Sequence, residues 1–184
     1  MRSGLAIVRP KLDGRIELIV DAGRTLHGLE STIVRVRGNS IEILRRGPIT
    51  EEQLSEFAKI NIVTSRTQEI SAPGQFPSHY APKTPLDLID DAISFSPKNG
   101  QRVGLLAWHP SRGGLQFVAA RNLSEQQDLR EAAVNLFRYL RELDALGLDL
   151  IVAERVPSQG LGAAILDRLE RASHGYSVAP EMPE

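Results

Sequence analysis

Two pairs of residues in this sequence carry side chains suited to chemistry on a charged ligand. Ser31-Thr32 directly follow "HGLE" (27–30) and stand at the start of the alternating run "STIVRVRG" (31–38). Arg45-Arg46 close the next run, "SIEILRRG" (40–47), just ahead of Pro48. Pairing of the two runs as an antiparallel hairpin about Gly38-Asn39 brings Ser31 and Arg45 toward the same end of one sheet. A hydroxyl beside a guanidinium suits an anionic ligand with a polar head, such as a nucleotide or an amino acid. The same residue types are ordinary choices for a solvated strand start and strand end, and from the residues alone both readings stay open. A third pair, His79-Tyr80, lies inside "SAPGQFPSHYAPKTPL" (71–86), which has proline at 73, 77, 82 and 85. Each proline fixes φ and removes a backbone donor, so this segment reads as a stiff extended strap. An imidazole and a phenol side by side in such a strap ask for a surface to lie on.

The elements that must position these residues fall into two blocks. In the first, "RIELIVDAG" (15–23) reads as a strand and turn, followed by the hairpin. "TEEQLSEFAKI" (50–60) reads as a helix opened by a capping box of Thr50 and Gln53, with Leu54, Phe57 and Ala58 as its apolar face. In the second block, "LDLIDDAISF" (86–95) fits a strand or a short helix equally. "RVGLLAWHP" (102–110), "GLQFVAARNL" (114–123) and "LDLIVAE" (148–154) read as strands, with Trp108 as core and His109 as rim. The clearest helix spans 124–147: a capping box of Ser124 and Gln127, an apolar stripe of Leu129, Ala133, Leu136, Leu140 and Leu143, and a stop at Gly147. "GLGAAILDRLERAS" (160–173) is a helix entered through Gly160 and Gly162. Glycines there can cradle a phosphate, but without the full dinucleotide fingerprint a tight turn with close helix packing is the favoured reading. Arg130, Arg138, Arg141, Arg168 and Arg171 read as solvated and interleaved with acids. Strand, long helix, strand, helix is the pattern of an α/β layer with a parallel sheet.

Composition narrows the function classes. At 184 residues, 41% hydrophobic and 24% charged, the chain makes one large domain or two small ones. Its net charge of −1 gives no overall basic field for nucleic acid. With no cysteine there are no disulfides, no thiolate catalysis and no cysteine-based zinc site. The histidines at 27, 79, 109 and 174 have no metal-ligand spacing. The start has too short an apolar run for a signal peptide and nothing approaches a membrane span, so a cytoplasmic protein without a membrane is expected.

Read together, "DAGRTLHGLESTIV" (21–34), "ILRRGPIT" (43–50) and "PGQFPSHYAPKTPL" (73–86) resemble successive motifs of the threonylcarbamoyl-AMP synthases, two-domain enzymes with a YrdC-like catalytic domain. "NLFRYLRELDALGLDLIVAERVPSQGLGAAILDRLERAS" (135–173) is similar to that family's C-terminal Rossmann-like domain. The resemblance implies an α/β fold: an incomplete YrdC-like twisted-sheet remnant over 1–60, a proline-rich linker or lid over 61–85, and a small Rossmann-like parallel-sheet domain over 86–184. The implied reaction takes ATP (with Mg), L-threonine and bicarbonate to threonylcarbamoyl-adenylate and pyrophosphate. The product then serves tRNA threonylcarbamoyladenosine modification, which brings tRNA or tRNA-modification proteins in as partners. By motif position Ser31 corresponds to a threonine contact, and Arg45, Ser3, His79 and Tyr80 to the ATP side, the last two as lid residues. No catalytic residue, protein-held metal or tightly bound cofactor is implied.

The departures carry expectations of their own. The resemblance implies a catalytic domain that begins well before Met1, with a basic cluster for ATP and most of the threonine pocket. "RSG" (2–4) looks like the tail of an Asn-x-Ser-Gly motif, and Arg46 stands where the family has proline. The expected protein is therefore an N-terminally truncated form, the product of a misplaced start codon, or a split protein whose missing N-terminal half is encoded separately. The alternative is a non-catalytic regulatory or tRNA/partner-docking module derived from the family.

Overall fold

The structure, a computed structural model, describes residues 14–18, 20, 26–62, 81–110 and 116–174. Alternation builds the first sheet. β1 (Ile33–Arg37) pairs antiparallel with β2 (Ser40–Arg45), with Arg37 opposite Ser40 and Ile33 opposite Arg45. Gly38 sits in the left-handed region at φ +56°, as a two-residue hairpin turn favours. Thr50 caps α1 (Glu51–Ser55) with the expected box, the Thr50 N–H donating to Gln53 Oε1 at 3.0 Å and the Gln53 N–H to Thr50 Oγ1 at 3.4 Å. The helix is shorter than its sequence suggests. It gives way to β3 (Lys59–Ile62), parallel to β2, in a stretch whose β-branched residue types favour a strand. Phe57 is correspondingly not on an apolar helix face but 79% exposed. The strand expected over 15–23 is absent from its described part, where Ile16, Leu18 and Val20 are exposed. A strand needs a neighbour for its ladder bonds, and none pairs with it among the described residues.

The second sheet is parallel throughout. β4 (Leu86–Ile89), β5 (Val103–Ala107), β6 (Ala119–Asn122) and β7 (Leu150–Glu154) lie in the order β4-β7-β5-β6. The ambiguous stretch 86–95 thus begins as a four-residue strand. Every residue of β5 and β7 is buried, as strands covered on both faces require. On one face Leu106, Ile151 and Ala153 pack under α2 (Leu129–Asp144) and α3 (Leu161–His174). On the other, Val103, Leu105, Leu150 and Val152 lie under Ile89, Ala92, Phe95 and Phe117, the two rings stacked with centroids 6.1 Å apart. Full burial of one Leu or Ile side chain contributes roughly 1.5–3 kcal/mol, so this sheet is where the stability resides. The fold is α/β, its larger part a Rossmann-like parallel sheet.

The start of α2 corrects the sequence reading. Ser124 and Gln127 close a turn, and Gln127 takes φ +56°. A left-handed residue cannot continue into a right-handed helix, so the helix begins afresh after Asp128. The Asp128 carboxylate accepts from the N–H groups of Arg130 (2.7 Å) and Glu131 (2.9 Å) and is held below the ordinary carboxylate range by them. Ser124 instead donates to Glu131 Oε2 at 2.6 Å.

The two sheets touch through the segment before β1. Leu29 packs onto the helix-covered core. Gly28, at φ +66°, lies against the backbone of α2 at Ala133 and Val134, where a Cβ has no room. Among the described residues no helix is long and apolar enough to cross a membrane.

Candidate functional site

The hairpin brings Ser31 and Arg45 to one end of the sheet, and a register shift between Ile33 and Val34 sets Ile33 opposite Arg45. Arg45 Nε donates to the Ser31 carbonyl and Nη2 to Ser31 Oγ, each at 3.0 Å. One guanidinium thereby grips both backbone and side chain of Ser31, a fork geometry lysine cannot reproduce. The serine is held from two further directions. Gly47 lies so close to the backbone of residues 30–32 that a Cβ would overlap it. Thr32 Oγ1 donates to the Ile49 carbonyl at 2.8 Å and accepts the Ile49 N–H at 3.1 Å. Ser31 stays exposed while Arg45 is half-buried. A hydroxyl that accepts from a cation keeps its own hydrogen for an incoming acceptor, so the pair offers an anion one O–H donor and one fixed positive charge.

Behind this pair stands a residue whose importance the sequence reading missed. Arg168, on α3, has a fully buried side chain. Its Nε lies 3.2 Å from Glu30 Oε2, its Nη2 donates to the Arg46 carbonyl at 2.8 Å, and its Nη1 lies 2.6 Å from Asp167 Oδ2. The solvated reading of Arg168 is therefore wrong. The signal was present: 168 falls three residues after Ile165 and four before Ala172, on the buried stripe with Ala164 and Leu169. Arg171 keeps the surface role, paired with Asp167 at 3.0 Å, and Arg138 lies 4.4 Å over the Tyr139 ring. Arg46, where proline was expected, reaches Glu51 at 3.6 Å while its Nε is buried without a hydrogen-bond partner.

Ser3, His79 and Tyr80 lie outside the described residues. The glycines ahead of α3 take the plainer of their two roles. Gly160, at φ +56°, donates its N–H to Glu52 Oε1 at 3.0 Å, and that bond holds the Glu52 carboxyl below its ordinary range. Gly162 faces the Pro157 carbonyl where a Cβ would overlap it. These are a tight turn and close packing.

A concavity of about 430 Å³ lies at the C-terminal ends of β5 and β7, over Leu105, Ala107, Phe117 and the buried Glu154. Such edges often hold ligands in open α/β sheets. Here the polar groups serve the chain itself. Glu154 Oε1 accepts the Ala92 N–H at 2.8 Å, and Oε2 accepts those of Trp108 (2.7 Å) and His109 (2.8 Å). Gln116 donates to the Ala92 carbonyl at 2.9 Å. Among the described residues no group of three or more His, Asp or Glu is placed to hold a metal.

Comparison with known proteins gives these residues a setting. The family model of the threonylcarbamoyl-AMP synthase C-terminal domain matches residues 49–174. The threonylcarbamoyl-AMP synthase of Bacillus subtilis is 33% identical over 178 residues, covering 91% of this chain and 51% of that protein. That of Pyrococcus abyssi is 32% identical, covering 90% and 51%, and that of Schizosaccharomyces pombe 30% identical, covering 88% and 46%. The chain thus spans about half the length of the curated relatives it matches. Among solved structures, P. abyssi Sua5 complexed with L-threonine superposes with a TM-score of 0.67 at 26% identity, over 91% of this chain and 52% of that one. A variant of the same protein with an adjacent His and Tyr both replaced by alanine superposes at 0.74, also at 26% identity, over 94% and 53%. With its parallel sheet and a family match over residues 49–174, the chain belongs to the threonylcarbamoyl-AMP synthase family, in the portion that holds the C-terminal domain.

Proposed function

We propose that this chain supplies part of an L-threonylcarbamoyladenylate synthase site for tRNA threonylcarbamoyladenosine modification. In this reading residues 1–60 end the catalytic domain, 61–85 form its linker and lid, and 86–184 are the C-terminal domain. The observation that carries the reading is the Arg45–Ser31 fork, in a family one of whose solved members holds L-threonine. The threonine amine forms a C–N bond to the bicarbonate carbon, one C–O bond breaks with loss of water, and a carbamate results. A carbamate oxygen attacks the α-phosphorus of ATP, and the bond to the β-phosphate breaks to release pyrophosphate. Ser31 is suited to donate its O–H to the amino-acid end. Arg45 offers positive charge where phosphate oxygens gain negative charge, the kind of preorganised stabilisation that dominates such transfers. Magnesium arrives with ATP as substrate. Ser3, His79 and Tyr80 complete the ATP side. His79-Tyr80 is the one adjacent His-Tyr pair in the sequence, the same pair of residue types replaced in the solved variant. A lid there excludes water from a labile mixed anhydride.

The test is pyrophosphate release from ATP, L-threonine, bicarbonate and magnesium, with the chain alone and with the complementary half of the catalytic domain added as a separate polypeptide. Turnover that needs the added half and falls about a hundredfold in Arg45→Ala, the usual cost of one phosphate-stabilising group, supports the reading. No pyrophosphate in either mixture favours the non-catalytic regulatory or tRNA-docking module.

A further inference from the structure

Arg168 belongs to α3, beside the four-stranded sheet, yet two of its hydrogen-bond partners belong to the three-stranded part. Those partners are not scattered. Glu30 immediately precedes Ser31, and Arg46 immediately follows Arg45. One buried guanidinium therefore holds the outer neighbour of each residue in the Ser31–Arg45 contact. A guanidinium presents its donors in fixed in-plane directions, so it dictates orientation as well as distance. Its burial removes water as a competing partner, which makes each of these bonds directional and costly to leave unmade. The front sheet has little core of its own, since among its described residues only Ile41 and Ile43 are buried hydrophobics.

Resting on the reading of Ser31 and Arg45 as ligand contacts, we propose that Arg168 is a positioning residue through which the C-terminal domain sets the geometry of that pair. The consequence is regulatory: whatever shifts α3 moves Glu30 and Arg46 together, and with them the hydroxyl and the cation they flank.

The test uses the whole chain and reads the two claims separately. Amide hydrogen exchange over residues 26–50 reports positioning, and titration with L-threonine reports the site. In Arg168→Met, exchange over 26–50 should quicken about fivefold or more while β5 and β7 stay within about twofold of wild type. Arg168→Lys should fall between, because an ammonium keeps the Glu30 pair but cannot also reach the Arg46 carbonyl in the same geometry. Glu30→Gln leaves the α3 core intact and should quicken 26–37 about twofold, which keeps the proposal testable if Arg168→Met fails to fold. Unchanged exchange over 26–50 in the Lys and Gln variants overturns it, as does a rise of equal size in β5 and β7. Absence of threonine binding in the wild-type chain, with exchange behaving as expected, removes the functional reading and leaves the positioning role standing.

Discussion

The two sheets of this molecule use their apolar residues in opposite ways. In the parallel sheet every residue of β5 and β7 is buried, under helices on one side and under Phe95 and Phe117 on the other. In the hairpin part Val34, Val36, Ile49 and Phe57 remain exposed, and among the described residues β1 pairs with β2 alone. The ladder of the parallel sheet runs without a break, whereas that of the hairpin shifts register between Ile33 and Val34. The larger difference is in what covers the faces, and coverage decides which region holds itself together. The front part then depends on the back for its place, through Leu29, Gly28, Arg168 and the Glu52–Gly160 bond.

The largest test separates the regions outright. A fragment of residues 81–184 should unfold cooperatively on heating, and a fragment of residues 1–62 should give no cooperative transition, followed by circular dichroism. Equal cooperativity in both would break the comparison at its root. Single substitutions then sharpen it. Ile151→Ala removes a side chain with no exposure from the middle of β7 and should cost about 2–5 kcal/mol in denaturant unfolding. Val36→Ala, in β1 and 69% exposed, should change stability by less than about 0.5 kcal/mol.

The same contrast explains what could be read from the sequence. Where both faces of a strand are buried, as in "RVGLLAWHP" and "LDLIVAE", the apolar run itself is the strand, and the stripe from Leu129 to Leu143 marks α2 with the same clarity. The approach of Ser31 to Arg45 was legible because a hairpin about Gly38-Asn39 brings both to one end of the sheet, while the register shift between Ile33 and Val34 that sets Ile33 opposite Arg45 was not. Where no partner covers the chain, the pattern misleads. "RIELIVDAG" has strand composition, but its described residues pair with no strand among the described residues, and Phe57 sits in a helical spacing that the chain abandons for β3. Arg168 was missed for a different reason. Residue type argued for solvent, position in the stripe argued for burial, and the partners that reconcile the two, Glu30 and the Arg46 carbonyl, lie more than a hundred residues away in sequence.

The junction between the regions yields a test of intermediate size. Gly28→Ala places a Cβ against the Ala133–Val134 backbone at a positive φ, so strain and overlap act together. The expected cost is about 1–3 kcal/mol, within the range for a strained backbone site. Loss of protease resistance should be confined to residues 26–62, with the parallel sheet still folded. A substitution tolerated without change would mean that the front segment is free to lift from α2.

The smallest effect is electrostatic and concerns the same junction. The Gly160 N–H holds the Glu52 carboxyl below its ordinary value of 4.5, because the bond favours the charged form. A carboxyl whose folded value is depressed adds stability that is fully present above the unfolded value and disappears as pH falls through the folded one. The attachment of α1 to the start of α3 should therefore hold at neutral pH and weaken in acid below pH 4.5. Glu52 is exposed, so the contribution is small and salt screens it. Glu52→Gln keeps an oxygen that can accept from Gly160 but loses the charge, which isolates the titrating part. The melting temperatures of wild type and variant, compared in low salt, should differ slightly at neutral pH and converge in acid. A difference that persists unchanged through the acid range would show that the carboxylate charge plays no part in joining the two regions. One that grows as pH falls would reverse the sign of the argument.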